Sequence, residues 1–156
     1  MAASIHRHEL PPARESRFWH LALTGFLGFA PTPLMRRIRS RDPKVPIEEF
    51  VILGRQSGVE RHYLLNHLLV DGQRYVCNPN GSSQWTRNLV ASGVLTMIDR
   101  AAVAERLSAT ELPDGPERDA VIAATAHMPA PAGRMYGAAA GHIRAVGRFF
   151  RLEASA

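Results

Sequence analysis

Two short polar turns hold most of the side chains able to do chemistry. The first reads Gly54-Arg55-Gln56-Ser57-Gly58, with Arg61 three residues on. A glycine-bounded turn presents backbone N–H groups to an anion. Ser57 adds a hydroxyl donor, and the Arg55 and Arg61 guanidinium groups can grip phosphate or carboxylate as planar forks. A plain hairpin with solvated arginines has the same pattern, so this turn alone does not demand a ligand. The second turn, Asn80-Gly81-Ser82-Ser83, precedes a segment carrying Trp85, Arg87 and Asn88. Ser82 or Ser83 suits a helix N-cap, and the N–H groups of a helix N-terminus form a phosphate site. Trp85 and Leu89 share a helical face, which makes Trp85 a packing residue, and Asn88 can hold the loop through its amide. A capped helix needs no ligand either. Two such turns flanking one strand pair shift the balance towards a bound anion.

Other reactive side chains are scattered. His62 and His67 lie five residues apart on one expected strand, hence on opposite faces, and form no simple metal pair. His127 and His142 flank a Pro-Ala-Pro segment, with Tyr136 between them. They can line a substrate mouth, or serve as hydrogen-bonded structural groups. Cys77 is the only cysteine. It excludes an intramolecular disulfide, fits a reducing compartment and reads as a small core residue. No zinc-type spacing, Gly-Lys-Ser/Thr phosphate loop or dinucleotide fingerprint is present, and no metal site is expected.

The elements that must carry these groups follow from pattern. Residues 1–16 read as a mobile tail, Arg17–Ala30 as a helix ended by Pro31, and Thr32–Arg39 as a second helical piece. Asp42–Pro46 is a linker. Strands are expected over Phe50–Gly54, Glu60–Val70, Gln73–Asn78, Val94–Arg100, Ala102–Thr110 and His142–Glu153. Asp71-Gly72 is a hairpin turn. Gln84–Ser92 is a short helix closed by Gly93, and a further helix starts near Pro116 and runs towards Met128. Pro129–Gly133 is a break, and 135–141 is ambiguous. Six strands with a helix inserted after the third predict a small closed or split β-barrel, mainly β with helices. Residues 1–46 form the N-terminal tail and helices and 47–156 the barrel, one domain overall.

Bulk properties agree. The chain has 156 residues, 46% of them apolar and 21% charged, as in a globular domain with a real core. Net charge is +5, and Lys44 is the only lysine beside 18 arginines. That balance favours an anionic ligand or surface, although coding bias also yields arginine. The arginines are dispersed with no aromatic–basic stripe, so nucleic-acid binding is not expected. The apolar stretch Phe18–Met35 is broken by His20, Thr24, Gly25, Gly28, Pro31 and Pro33 and falls short of a continuous span of ~20 residues. Its charges follow the apolar part, unlike a signal peptide. These helices dock on the barrel or, alternatively, lie on an anionic membrane through residues 17–41. The expected location is cytoplasmic.

The run Gly-Arg-Gln-Ser-Gly-x-x-Arg, then Val-Asp-Gly, Tyr-Val-x-Asn-Pro-Asn-Gly and Trp-Thr-Arg-Asn-Leu, resembles the deazaflavin-dependent nitroreductase family. The closing His-Ile-Arg-Ala-Val-Gly-Arg-Phe-Phe-Arg-Leu-Glu is similar to one branch of it. The likeness spans roughly residues 50–153 in the expected order. It implies a six-stranded split β-barrel of the FMN-binding, flavin-reductase-like kind, an actinobacterial or methanogen source, and the anionic 8-hydroxy-5-deazaflavin coenzyme F-420. FMN is the alternative cofactor. By this resemblance Arg55, Gln56, Ser57, Gly58 and Arg61 meet the phosphate and oligoglutamate tail. Asn80, Gly81, Ser82 and Ser83 sit by the phosphate or ring, and Trp85 and Asn88 position that loop. The implied activity is hydride transfer to a quinone, nitro compound or enone, with Tyr136, and after it His127, hydrogen-bonding the acceptor. A homodimer is implied too. Three departures stand out. Gln56 replaces a usual Lys or Arg, the loop from Asn78 to Trp85 is short, and a tyrosine-rich acceptor region is reduced to Tyr136 beside Met135, Met128 and His127. The competing expectation is a non-catalytic flavin-, deazaflavin- or lipid-binding protein on the same fold.

Overall fold

The computed structural model describes residues 13–28 and 32–155. The expected tail before residue 13 and the break at Pro31 lie outside the described residues. Two N-terminal helices, α1 (Ala13–Gly28) and α2 (Thr32–Arg41), precede strands β1 (Ile47–Leu53), β2 (Glu60–Val70) and β3 (Gln73–Asn78). Helix α3 (Gln84–Ser92) follows, then β4 (Val94–Ile98) and β5 (Ala104–Glu111). Helices α4 (Pro116–Thr125), α5 (Ala132–Ala138) and α6 (Ala140–Val146) lead into β6 (Arg148–Ala154). The strands close into an antiparallel barrel in the order β1-β2-β3-β6-β5-β4, with β4 returning to β1. This is the expected six-stranded α+β barrel.

Alternation along the strands sorts the apolar residues into two layers. Phe50, Ile52, Val76, Leu95, Met97, Leu107, Phe150 and Leu152 fill the barrel, and Trp85 and Leu89 of α3 join them. The opposite faces of β2, β3 and β6 supply Leu68, Tyr75, Cys77 and Phe149 to a second layer with Val121 and Ile122 of α4, Tyr136 of α5, Ile143 of α6 and Leu23 of α1. Adjacent Phe149 and Phe150 therefore face different cores, and β6 is buried on both sides.

Local chemistry fixes the ends. Asp71 and Gly72 both take positive φ, 49° and 79°, as a two-residue hairpin turn of the primed type requires. Gly93 ends α3 at φ 67°, its N–H bonded to the Leu89 carbonyl. Arg39 docks α2 on the barrel: its guanidinium donates to the carbonyls of Ile47 and Ile98 and pairs with Glu48 at 2.5 Å. Among the described residues, no helix is long and apolar enough to cross a membrane.

Two expectations need correction. The first helix begins at Ala13, inside the expected 1–16 tail and ahead of the expected start at Arg17. The last strand starts at Arg148, not His142; residues 140–146 are helical. Ile143 and Val146 are spaced by three, a helical interval that buries Ile143, and the extended strand begins only after Gly147. The helix expected from about Pro116 runs to Thr125, and the ambiguous stretch after the Pro-Ala-Pro segment belongs to α5 and α6.

Leu107 is fully buried inside the barrel. Leu107→Ala is expected to lower stability by about 2–5 kcal/mol through lost burial and a residual cavity, read as a reduced urea midpoint. A change below about 1 kcal/mol would mean that the barrel interior is not the tightly packed core described.

Candidate functional site

The turn between β1 and β2 opens onto a cleft of about 680 Å³, lined by Arg55, Gln56, Ser57, Glu60, Arg61 and Tyr63, with Gln84 and Asn88 of α3 opposite. The turn is held by the Gly54 N–H on the Val59 carbonyl (2.9 Å) and the Gly58 N–H on the Gly54 carbonyl (2.7 Å). Gly58 sits at φ 66°, and a Cβ on Gly54 would lie 2.7 Å from Ser57 Oγ. The backbone at Gly58 thus favours glycine, and a side chain at Gly54 would crowd Ser57. Ser57 Oγ accepts from the Val59 N–H at 3.3 Å.

Asn88, buried on α3, fastens this turn to the helix. Its Oδ1 accepts from the Arg55 backbone N–H (3.3 Å) and from Arg55 Nη1 (3.0 Å), while its Nδ2 donates to the Tyr63 hydroxyl (3.4 Å). Arg55 Nη1 also donates to Gln84 Oε1 at 3.0 Å. All these partners are neutral. Among the described residues neither Arg55 nor Arg61 has a carboxylate within ion-pair distance. Among the described residues the cleft therefore offers two guanidinium groups without an ion-pair partner, with the Glu60 carboxylate also in its lining. Sequence reasoning missed Tyr63 and Gln84. Tyr63 is two residues after Arg61, on the same strand face, and Gln84 is one helical turn before Asn88, so periodicity held the signal.

The second turn lies elsewhere. Asn80, Gly81 and Ser82 line a cleft of about 460 Å³ with α1, His142 and Val146. Asn80, Ser82, Ser83 and Trp85 line a third, of about 430 Å³, with His20, Thr24, Leu64, Leu65 and Asn66. Ser83 is the N-cap of α3: its Oγ accepts from the Thr86 N–H and its own N–H donates to Thr86 Oγ1 at 2.8 Å. This is a capping box with Thr in the reciprocal position. Gly81 has φ 90°, and a Cβ there would stand 3.0 Å from the Val146 carbonyl oxygen. Asn80 is fully engaged. Its Nδ2 donates to Thr24 Oγ1 (2.9 Å) and the His20 carbonyl (3.2 Å), and its Oδ1 meets His142 Nε2 (2.9 Å). Trp85 packs on Phe150 at 6.0 Å between ring centroids and seats α3.

The structure thus gathers Arg55, Gln56, Ser57, Arg61 and Asn88 around one cleft and places Asn80, Gly81, Ser82, Ser83 and Trp85 on the others. Gly58 shapes the first turn without lining its cleft. Tyr136 and His127 line none of the three. Tyr136 is 1% exposed, and burial pushes its phenol well above the ordinary range. Its hydroxyl accepts from Asn66 Nδ2 at 3.2 Å, which links it to the third cleft through that amide. His127 is exposed, and its Nδ1 donates to the Ala123 carbonyl at the end of α4. His62 faces outward against Glu49 at 2.8 Å, while His67 faces inward near Phe50, its pKa lowered by burial. Burial pushes the Cys77 thiol up to about 12, so it is an unreactive core group. Among the described residues no cluster of His, Cys, Asp and Glu could hold a metal ion.

No family model matches the chain, and no curated protein matches it in sequence. Solved structures do. A conserved hypothetical protein of Mycobacterium tuberculosis aligns at 12% identity and TM-score 0.55, covering 81% of each chain. HutZ, the heme storage protein of Vibrio cholerae, aligns at 13% identity and TM-score 0.52, covering 80% of this chain and 90% of its own. An F-420-H2-dependent reductase aligns at 22% identity and TM-score 0.49, covering 69% of this chain and 94% of its own. At these identities the likeness concerns the fold.

Asn88→Ala leaves the Arg55 amide and the Tyr63 hydroxyl without their partner. It is expected to cost about 1–3 kcal/mol in urea unfolding and to raise amide exchange at residues 54–58. Unchanged exchange there would show that Asn88 does not hold the turn.

Proposed function

We propose that the chain is an oxidoreductase that uses reduced coenzyme F-420 to pass hydride to a small apolar acceptor such as a quinone, nitro compound or enone. The observation that carries the reading is the first cleft. Its two arginines lack carboxylate partners among the described residues, in a turn whose sequence and order resemble those of deazaflavin-dependent reductases. Arg55 and Arg61 would grip the phosphate and oligoglutamate tail, with Gln56, Ser57 and the Gly58 turn beside them. Asn88 fixes the direction of Arg55. Ser83 and Trp85 seat the helix that separates this cleft from the third one. Asn80, whose amide is consumed by α1 and His142, acts here by shaping the Gly81–Ser82 turn.

The deazaflavin supplies hydride when bound, while the chain's own residues orient, exclude water and donate hydrogen bonds. The third cleft offers the acceptor an apolar wall of Leu64, Leu65, Pro79 and Trp85, with Asn66 as a polar group. Tyr136 holds Asn66 from behind and is a positioning residue in this scheme, and His127 has no part in it.

A second reading, a non-catalytic protein binding an anionic planar ligand or a lipid, is favoured by one observation. The expected acceptor donors Tyr136 and His127 line no cleft. Heme storage in a protein with this barrel shows that the fold itself does not choose catalysis. FMN would present its phosphate to the same arginines.

The double variant Arg55→Ala, Arg61→Ala is expected to weaken coenzyme F-420 binding about ten- to a hundredfold, as lost bonds to a charged group do. Its remaining affinity would depend less on salt than that of the wild type. Calorimetric titrations at low and high salt check this. Wild-type affinity in the double variant would place the tail elsewhere. Tight binding by the wild type with no menadione reduction would select the non-catalytic reading.

A further inference from the structure

Asn80 joins α1, the second polar turn and α6 through a single side chain. Its Nδ2 faces the His20 carbonyl, which only accepts, so the amide orientation is fixed. Thr24 Oγ1 donates to the same carbonyl at 2.7 Å and accepts from Asn80 Nδ2. Asn80 Oδ1 must therefore face His142, and His142 Nε2 must carry a proton. The neutral ring then keeps its lone pair on Nδ1. That atom is buried without a hydrogen-bond partner, in a residue 2% exposed. Any added proton has to go there, as a buried and unpartnered donor.

Among the described residues no carboxylate is hydrogen-bonded or ion-paired to His142. On α1, His20 faces the His142 ring at 6.5 Å between centroids, and Arg17 shares its cleft. On α6 itself, Arg144 pairs with Asp119 of α4. Arg118 of α4 donates to the Arg144 carbonyl and lies near Asp114. α5 contributes Tyr136 and the exposed Arg134. Asp119 and Asp114 thus each pair with an arginine. Burial, and after it His20, lowers the His142 pKa.

We infer that α1 is a pH-released flap, clasped over the Asn80–Ser83 turn by the neutral His142–Asn80–Thr24 chain and let go when His142 takes a proton. The flap has something to uncover. His20 walls both the 460 Å³ and the 430 Å³ clefts, so movement of α1 opens the two together. The inference does not depend on which ligand these clefts take. The sign follows from linkage. Burial, and after it His20 on the docked helix, lower the His142 pKa, so docking is strongest above the free-imidazole value of about 6.5 and weakens as pH falls through it.

Hydrogen exchange of residues 17–25, corrected for the intrinsic rate at each pH, tests this in the full chain. Protection is expected to fall, by up to about tenfold for one proton taken up near pH 6.5, between pH 7.5 and 5.5 while β3 and β6 stay protected. His142→Gln keeps an amide donor for Asn80 and removes the titration, so its profile should be flat. Asn80→Ala should show low α1 protection at both pH values and serves if His142→Gln does not fold. Equal wild-type protection at both pH values, or the same loss in His142→Gln, would overturn the inference.

Discussion

Strand β1 is the closing member of the barrel, and the remaining structure depends on its being bonded along both edges. One edge pairs with β2 from Ile47↔Asn66 to Leu53↔Glu60, and the other with β4 from Glu49↔Ile98 to Val51↔Thr96. The β4 ladder joins segments far apart in sequence, and it removes the open edge that a six-stranded sheet would otherwise expose. Phe50 and Ile52 can then fill the interior from β1. At its start, Arg39 and Glu48 tie α2 to the barrel; at its end hangs the Arg55–Gly58 turn.

Closure also explains why polar chemistry gathers at loops rather than within the sheet. The interior is filled by apolar side chains, so charged groups are displaced to the ends and to the outer face left between helices. There, two asparagines, Asn88 buried and Asn80 half-buried, do parallel work. Asn88 fixes the first turn to α3, and Asn80 fixes the second to α1 and α6. In each case one amide satisfies donors and acceptors from separate elements, and loss of that amide would leave buried polar groups unpartnered. The two turns nonetheless serve different clefts, with α3 between them.

Much of this was legible in the sequence because local chemistry dictated it. Asp71-Gly72 requires positive φ at both positions, Ser83 caps a helix that Gly93 ends, and period-two alternation marks strands around them. The convergence of Arg55, Gln56, Ser57, Arg61 and Asn88 was legible because one turn and one helix carry them. Tertiary features were not. Ile143 and Val146 extended an apparent strand backward, since a short apolar run does not declare its period. Tyr136, expected at a substrate mouth from its place between His127 and His142, has its ring in the core between α5 and β3, and only its hydroxyl meets a polar group. The Asn80–His142 link spans 62 residues and leaves no trace in local pattern.

The central claim is that the arginine-lined cleft takes the anionic tail of a deazaflavin. Parallel calorimetric titrations of the purified protein with coenzyme F-420 and with FMN test it most directly. The account predicts saturable F-420 binding that is tighter than FMN binding and weakens with salt, because two guanidinium groups meet a long anionic tail. FMN binding in preference to F-420, or binding of neither, would contradict it.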